Sequence, residues 1–198
     1  IPTHVRLHVL SFFDACTTDK DWLKKNGGSS RILLSKTLKF TGIPESFLVE
    51  KISDLLENQN PTIAPYASLG EVKLRITSAA KDITEAKKLI KPLEVDLQKR
   101  LRDNYFGSDD DTLASTVINI LRKKGKTLSI AESCTGGGLG AALTAIPGAS
   151  DVFIGGVVVY SNEMKQKLLD VPVDLLQKHG AVSTPVIEAM AKQTLKKL

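Results

Sequence analysis

The sequence predicts an α/β protein in two parts: a small open-faced α+β module, then an incomplete parallel α/β layer. Three observations carry that reading. The segments LSKTLKF and EVKLRIT alternate apolar and polar residues with the period of half-buried strands. Between and after them, apolar residues recur at helical spacing. From residue 127 onward, strand-like runs TLSIA and DVFIGGVVVY alternate with helical segments, which implies parallel strands joined by right-handed crossovers.

Residues 1–30 carry the weakest signals. HVRLHVLSFF reads as a strand or a short helix, and KKNGGSS as a flexible joint. His4 and His8 have the i, i+4 spacing of two ligands on a helix face, but no third ligand stands nearby, so no metal site is expected. From Arg31 the pattern sharpens. LSKTLKF places Leu34, Leu38 and Phe40 on one strand face. Pro44 suits the first turn of a helix with Leu48, Ile52, Leu55 and Leu56 on one stripe. NPTIAPYA reads as a short strand, and EVKLRIT turns Val72, Leu74 and Ile76 toward a core. A long helix from about Asp82 to Leu101 carries Ala86, Ile90, Leu93, Leu97 and Leu101 on its stripe, with a kink or break expected at Pro92. The order β-α-β-β-α defines a module over residues 31–106.

GSDDDT, at residues 107–112, marks the boundary with the second part, 107–198. A helix follows, with Asp109, Asp110 and Asp111 at its positive end and Arg122, Lys123 and Lys124 at its negative end. Gly125 is placed to cap it, and Leu113, Val117, Ile120 and Leu121 are expected to face inward. Beyond the strands TLSIA and DVFIGGVVVY, NEMKQKLLDV is a helix, Gly180 closes another, and Thr184-Pro185 opens a last one as N-cap and first-turn proline.

The composition is that of a globular protein, with 42% apolar and 25% charged residues in 198. No run approaches the apolar length of a membrane span, and the first residues are too mixed for a signal peptide. Two distant cysteines, Cys16 and Cys134, do not make a disulfide framework, so a reduced, cytoplasmic protein is expected. The net charge of +5 is spread along the chain and reads as a mixed solvated surface. The sequence begins with Ile1 and stops within a helical pattern, so both ends are expected to be cut.

The stretch SIAESCTGGGLG, residues 129–140, admits several chemistries. No lysine follows the glycines, so it is not a P-loop. Gly136 to Ala141 formally fits a dinucleotide fingerprint, but Tyr160 and Ser161 stand where the acidic partner belongs. Backbone amides at the helix start remain able to hold an anion. Cys134 lacks a basic partner other than the distant His179, and reads as a buried structural thiol. Ser133 follows the first strand, Tyr160, Ser161 and Asn162 follow the second, and Lys165 lies about one helical turn on. Parallel strands open their C-terminal ends onto one rim. A lysine kept neutral by desolvation or a nearby dipole can take a serine's proton, and glycine-loop amides can hold an oxyanion. The pattern therefore fits Ser–Lys acyl transfer; serines at strand ends and lysines on helices are common, so it also fits a tight strand-to-helix turn beside an exposed helix lysine.

AESCTGG, VVVYSNEMKQKLL, VP and HGAVS at these intervals resemble the CinA family (competence/damage-inducible protein), specifically its C-terminal nicotinamide-nucleotide amidohydrolase (PncC) domain. SKTLKFTGIPES and NPTIAPYASLGEVKLRIT resemble the family's KH-type middle domain. Residues 1–30 then correspond to the tail of a molybdenum-cofactor-biosynthesis-like domain and a linker. The resemblance implies hydrolysis of nicotinamide mononucleotide to nicotinic acid mononucleotide and ammonia in pyridine-nucleotide salvage, with no cofactor and no metal. It implies Ser133 as nucleophile and Lys165 as general base, with Tyr160 and Asn162 shaping the pocket. Thr135, Gly136 and Gly137 extend that assignment to the oxyanion or phosphate region. It also implies that the amidase domain is truncated, since the family's downstream TGIAGP-like loop is not reached. The middle module has no GxxG between residues 31 and 106, so nucleic-acid binding is not expected and a structural or homodimer-forming role is. The alternative is a non-catalytic scaffold or interaction fragment linked to competence or DNA damage.

Overall fold

The computed structural model describes residues 31–198. The expectations for His4, His8, Cys16 and the preceding-domain remnant lie outside the described residues. The described chain divides into two compact units, one of residues 31–38 and Gly42–Asp103, the other of Lys39–Thr41 and Asn104–Leu198.

The first unit is built from β1 (Ile32–Phe40), α1 (Glu45–Lys51), β2 (Thr62–Ser68), β3 (Glu71–Ala80) and α2 (Ile83–Arg100). Strands β2 and β3 pair antiparallel in the register Ile63↔Ile76. Alternation along β3 buries Val72, Leu74 and Ile76, and α2 packs on β3 with Ala86, Ile90, Leu93 and Leu97 buried. Asp82 caps α2 by accepting from the Glu85 amide, which satisfies an orphan donor of the first turn. The helix is not broken at Pro92; it runs unbroken to Arg100. Helix α1 stops at Lys51, with Leu48 and Ile52 fully buried, and Leu55 closes a separate 3-10 turn, Ser53–Leu55. Arg100 grips that turn, donating from both terminal nitrogens to the Asp54 carboxylate. That charge-assisted fork holds the Asp54 carboxyl below its ordinary range.

The sheet order is β2-β3-β1-β4, where β4 is Tyr105–Ser108. The end of β1 and β4 belong to the second unit. There the Thr41 amide donates to the Asn104 carbonyl at 2.9 Å, and Phe40 and Tyr105 rings lie 5.8 Å apart. The three aspartates lie in the turn after β4, ahead of the next helix: Asp111 accepts from the Ser108 amide, and Thr112 is the cap. Helix α3 (Leu113–Lys124) begins with a reciprocal Thr112–Ser115 capping box and ends at Gly125 with φ 58°.

The expected inward face of α3 is corrected. Leu113, Val117 and Ile120 are exposed, and Ile118 is fully buried with Ala114 and Leu121 beside it. The core stripe runs 114, 118, 121, one step round the helix from the expected one.

The rest of the unit comprises β5 (Leu128–Glu132), α4 (Gly138–Thr144), β6 (Phe153–Val158), α5 (Asn162–Leu169), α6 (Val173–His179) and α7 (Thr184–Lys197). Strands β5 and β6 pair in parallel, with Ile130↔Gly156 and Glu132↔Val158. Period-two alternation sends Ile130 to one face, where it joins Ile118, Leu143, Ala149 and Val152. Ala131 goes to the other, against Val159, Leu169, Val171, Leu176, Val186 and Met190. Helices thus cover both faces, as a parallel sheet requires. Gly156 is dictated by contact: a Cβ there would lie 2.4 Å from Ile130 Cγ1 and 2.7 Å from its carbonyl oxygen. The cap of α7 is Ser183, with Thr184 its first residue. Among the described residues, no helix is long and apolar enough to cross a membrane.

Candidate active site

Adjacent parallel strands bring two chain segments to one edge. The Val159 amide donates to the Glu132 carbonyl at 2.8 Å, so the ends of β5 and β6 are locked side by side. One residue beyond that bonded pair stand Ser133 on one strand and Tyr160 on the other. Ser161 then caps α5 by accepting from the Met164 amide at 3.1 Å, which turns the first helical turn back over the strand end. Lys165 is 2% exposed, and its Nζ donates to the Tyr160 carbonyl at 2.8 Å. Its stem shares the buried face of α5 with Leu169. Among the described residues no carboxylate lies within ion-pair distance of it.

The chain leaving β5 makes two consecutive turns, Gly136 amide to Ser133 carbonyl and Gly138 amide to Thr135 carbonyl. Gly136 and Gly137 have φ of 60° and 99°, a region that disfavours any side chain. Glu132, 4% exposed, curls into this loop. Its carboxylate accepts from the amides of Gly137 at 3.1 Å, Leu139 at 3.0 Å and Gly140 at 2.8 Å. Burial pushes the Glu132 carboxyl up, but hydrogen bonds from Gly140, the Thr135 side chain, Leu139 and Gly137 outweigh it and hold it below its ordinary range. Sequence reasoning missed this residue. The available signal was the alternation Leu128, Ile130, Glu132, which puts a carboxylate on the core face with only the glycine-run amides near enough to pair it.

Ser133 is half-buried and lines a cavity of about 630 Å³ together with Glu132, Cys134 and Thr135, walled by Met190 and Leu195 of α7. Lys165, Tyr160, Asn162, Gly136 and Gly137 do not line it. Ser133 and Lys165 thus share a sheet edge without a hydrogen bond between them. Tyr160 is 74% exposed and Asn162 begins α5 in an exposed position. Cys134 is corrected: it is an exposed free thiol in the turn that follows β5, at the lining of the same cavity. Among the described residues, no cluster of three or more His, Cys, Asp or Glu side chains is arranged to hold a metal.

The family model for the CinA C-terminal domain matches residues 110–198. The model for the damage-inducible protein CinA KH domain matches residues 35–107. The chain belongs to the CinA family. A CinA-like protein of Parasynechococcus marenigrum is 51% identical over 198 residues, all of this chain and 46% of its own length. Another, of Prochlorococcus marinus, is 58% identical over 179 residues, 90% of this chain and 42% of its own length. The chain therefore spans less than half the length of these CinA relatives. A solved structure of competence/damage inducible protein CihA from Agrobacterium tumefaciens is 40% identical, covering 43% of this chain and 52% of that one, with a TM-score of 0.42. The site just described lies wholly within the segment matched as the CinA C-terminal domain.

Proposed function

We propose that the second unit carries part of an amidohydrolase site which, in the full-length protein, cleaves the carboxamide of nicotinamide mononucleotide to nicotinic acid mononucleotide and ammonia. The observation that carries this reading is the buried Lys165 side chain on α5, bonded to the Tyr160 carbonyl just past β6, beside the strand whose end presents half-buried Ser133 to a cavity. Ser133 Oγ attacks the carboxamide carbon while its proton passes to the Lys165 amine. The tetrahedral oxyanion collapses with loss of ammonia, which takes that proton, and leaves an acyl-serine. Water then attacks the ester and returns the serine hydroxyl and the carboxylate product.

The amides of Gly136, Gly137 and Gly138 are already bonded within the loop. Among the described residues, those of Cys134 and Thr135 make no hydrogen bond and adjoin the nucleophile, so oxyanion stabilisation is assigned to them. In this reading the Lys165 amine exchanges the Tyr160 carbonyl for Ser133 Oγ when substrate binds at the rim beside Tyr160 and Asn162.

The test is ammonia release from nicotinamide mononucleotide by the full-length protein. Turnover is expected from the native protein and none from Ser133→Ala. A Ser133→Ala protein of native activity removes serine from the mechanism.

A further inference from the structure

A buried anion among backbone amides needs a reason, because the same amides would otherwise meet a ligand. Glu132 is 4% exposed, and its two oxygens accept from the amides of Gly137, Leu139 and Gly140. Thr135 adds its side chain to the same carboxylate. A Cβ on Gly140 would lie 3.2 Å from Glu132 Oε1, so the glycine there leaves room for the carboxylate. On its other side, the Glu132 carbonyl takes the Val159 amide that locks the two strand ends together.

We propose that Glu132 is the positioning residue of the site: its carboxylate fills the amide-lined turn before α4 as a built-in anion, fixing the loop that carries Ser133 and denying those amides to the phosphate of a nucleotide substrate. Ser133 is bonded covalently to Glu132, and the turns at 133–136 and 135–138 are closed by the segment whose amides Glu132 holds. The direction in which Ser133 Oγ points therefore depends on the carboxylate. The phosphate group of the substrate is read elsewhere in the full-length protein, and the loop serves the reacting end.

The kinetic half of this inference rests on the amidohydrolase reading; the structural half does not. In the full-length protein, Glu132→Gln removes the charge and replaces one acceptor oxygen by a donor. Its kcat is expected to fall on the order of a hundredfold, the cost of a misplaced nucleophile, with KM changed by less than about threefold. Glu132→Asp keeps the charge and is expected to recover about a tenth of native kcat. The amide resonances of Gly137, Leu139 and Gly140 in the native protein are expected to stay unmoved by inorganic phosphate. Native kinetics in Glu132→Gln, no recovery in Glu132→Asp, or saturable phosphate shifts at these amides each overturn the proposal. Should Glu132→Gln fail to fold, the aspartate variant and the phosphate titration decide it. Should the native protein release no ammonia from nicotinamide mononucleotide, the amidohydrolase reading fails, and the amide resonances still decide whether the loop is filled from within.

Discussion

Lys165 Nζ sits 2.8 Å from the carbonyl oxygen of Tyr160, five residues back along its own chain. A lysine so nearly enclosed with one backbone acceptor is an expensive way to pack four methylenes, since a methionine fills such space without a charge. If Lys165 and Ser133 act as a unit, Lys165→Ala and Ser133→Ala each lower kcat on the order of a thousandfold or more, and the double variant is no worse than either single one. Steady-state ammonia release by the three full-length variants checks this, and additive losses separate the two residues.

Glu132 sets an acid limit. Its pKa in the folded chain lies below the ordinary carboxyl value of 4.5, so the unfolded state binds the proton first. Its contribution to stability is complete above that value and is lost as pH falls through the folded one. Denaturant titrations at a series of pH values below about 5 should show a shallower acid loss for Glu132→Gln than for the native protein. Parallel curves dismiss the contribution.

Gly156→Ala forces a methyl group against the Ile130 side chain and carbonyl, where a Cβ would stand at 2.4 and 2.7 Å. The carbonyl is backbone and does not yield, so a loss of about 1–3 kcal/mol is expected. Thermal unfolding of the variant checks it. An unchanged midpoint shows that the strands separate without cost.

Arg122 joins α3 to the turn before β6. Its Nε meets Asp151 Oδ2 at 3.1 Å, while another nitrogen donates to the Gly148 carbonyl. A lysine has no fork to span both acceptors. Arg122→Lys is expected to cost about 1 kcal/mol, the ion pair itself being too exposed to add much. Chemical denaturation measures it, and a native midpoint means the contacts hold nothing.

The elements were legible where spacing had one solution. β3 showed strict alternation with Val72, Leu74 and Ile76 on one side, and α2 offered a single stripe from Ala86 to Leu97. Helix α3 offered two. Its apolar residues at 117, 118, 120 and 121 fit either of two adjacent faces, and only the partner Ile130 selects the one through Ile118. Strand β4 was hidden because four residues, YFGS, are too short to express a period. At the site, the residue types Ser133 and Lys165 were visible, and the edge they share follows from β5–β6 pairing. The burial of Lys165 was not visible, since NEMKQKLL reads as an amphipathic surface helix until α7 covers it. Cys134 misled because the lack of a basic partner reads as a structural, enclosed thiol, whereas the turn after β5 leaves it exposed.

Glycine-dense turns between a strand and a helix invite the assumption that something from solution nests there. In this chain the vacancy is made for a tenant two atoms from the backbone's own thread: the room at Gly140 and the bends at Gly136 and Gly137 accommodate the side chain at 132. A survey that scores such turns by glycine content alone will enrol self-filled ones among nucleotide binders. Asking first whether the preceding strand ends in an inward acid sorts the two kinds apart.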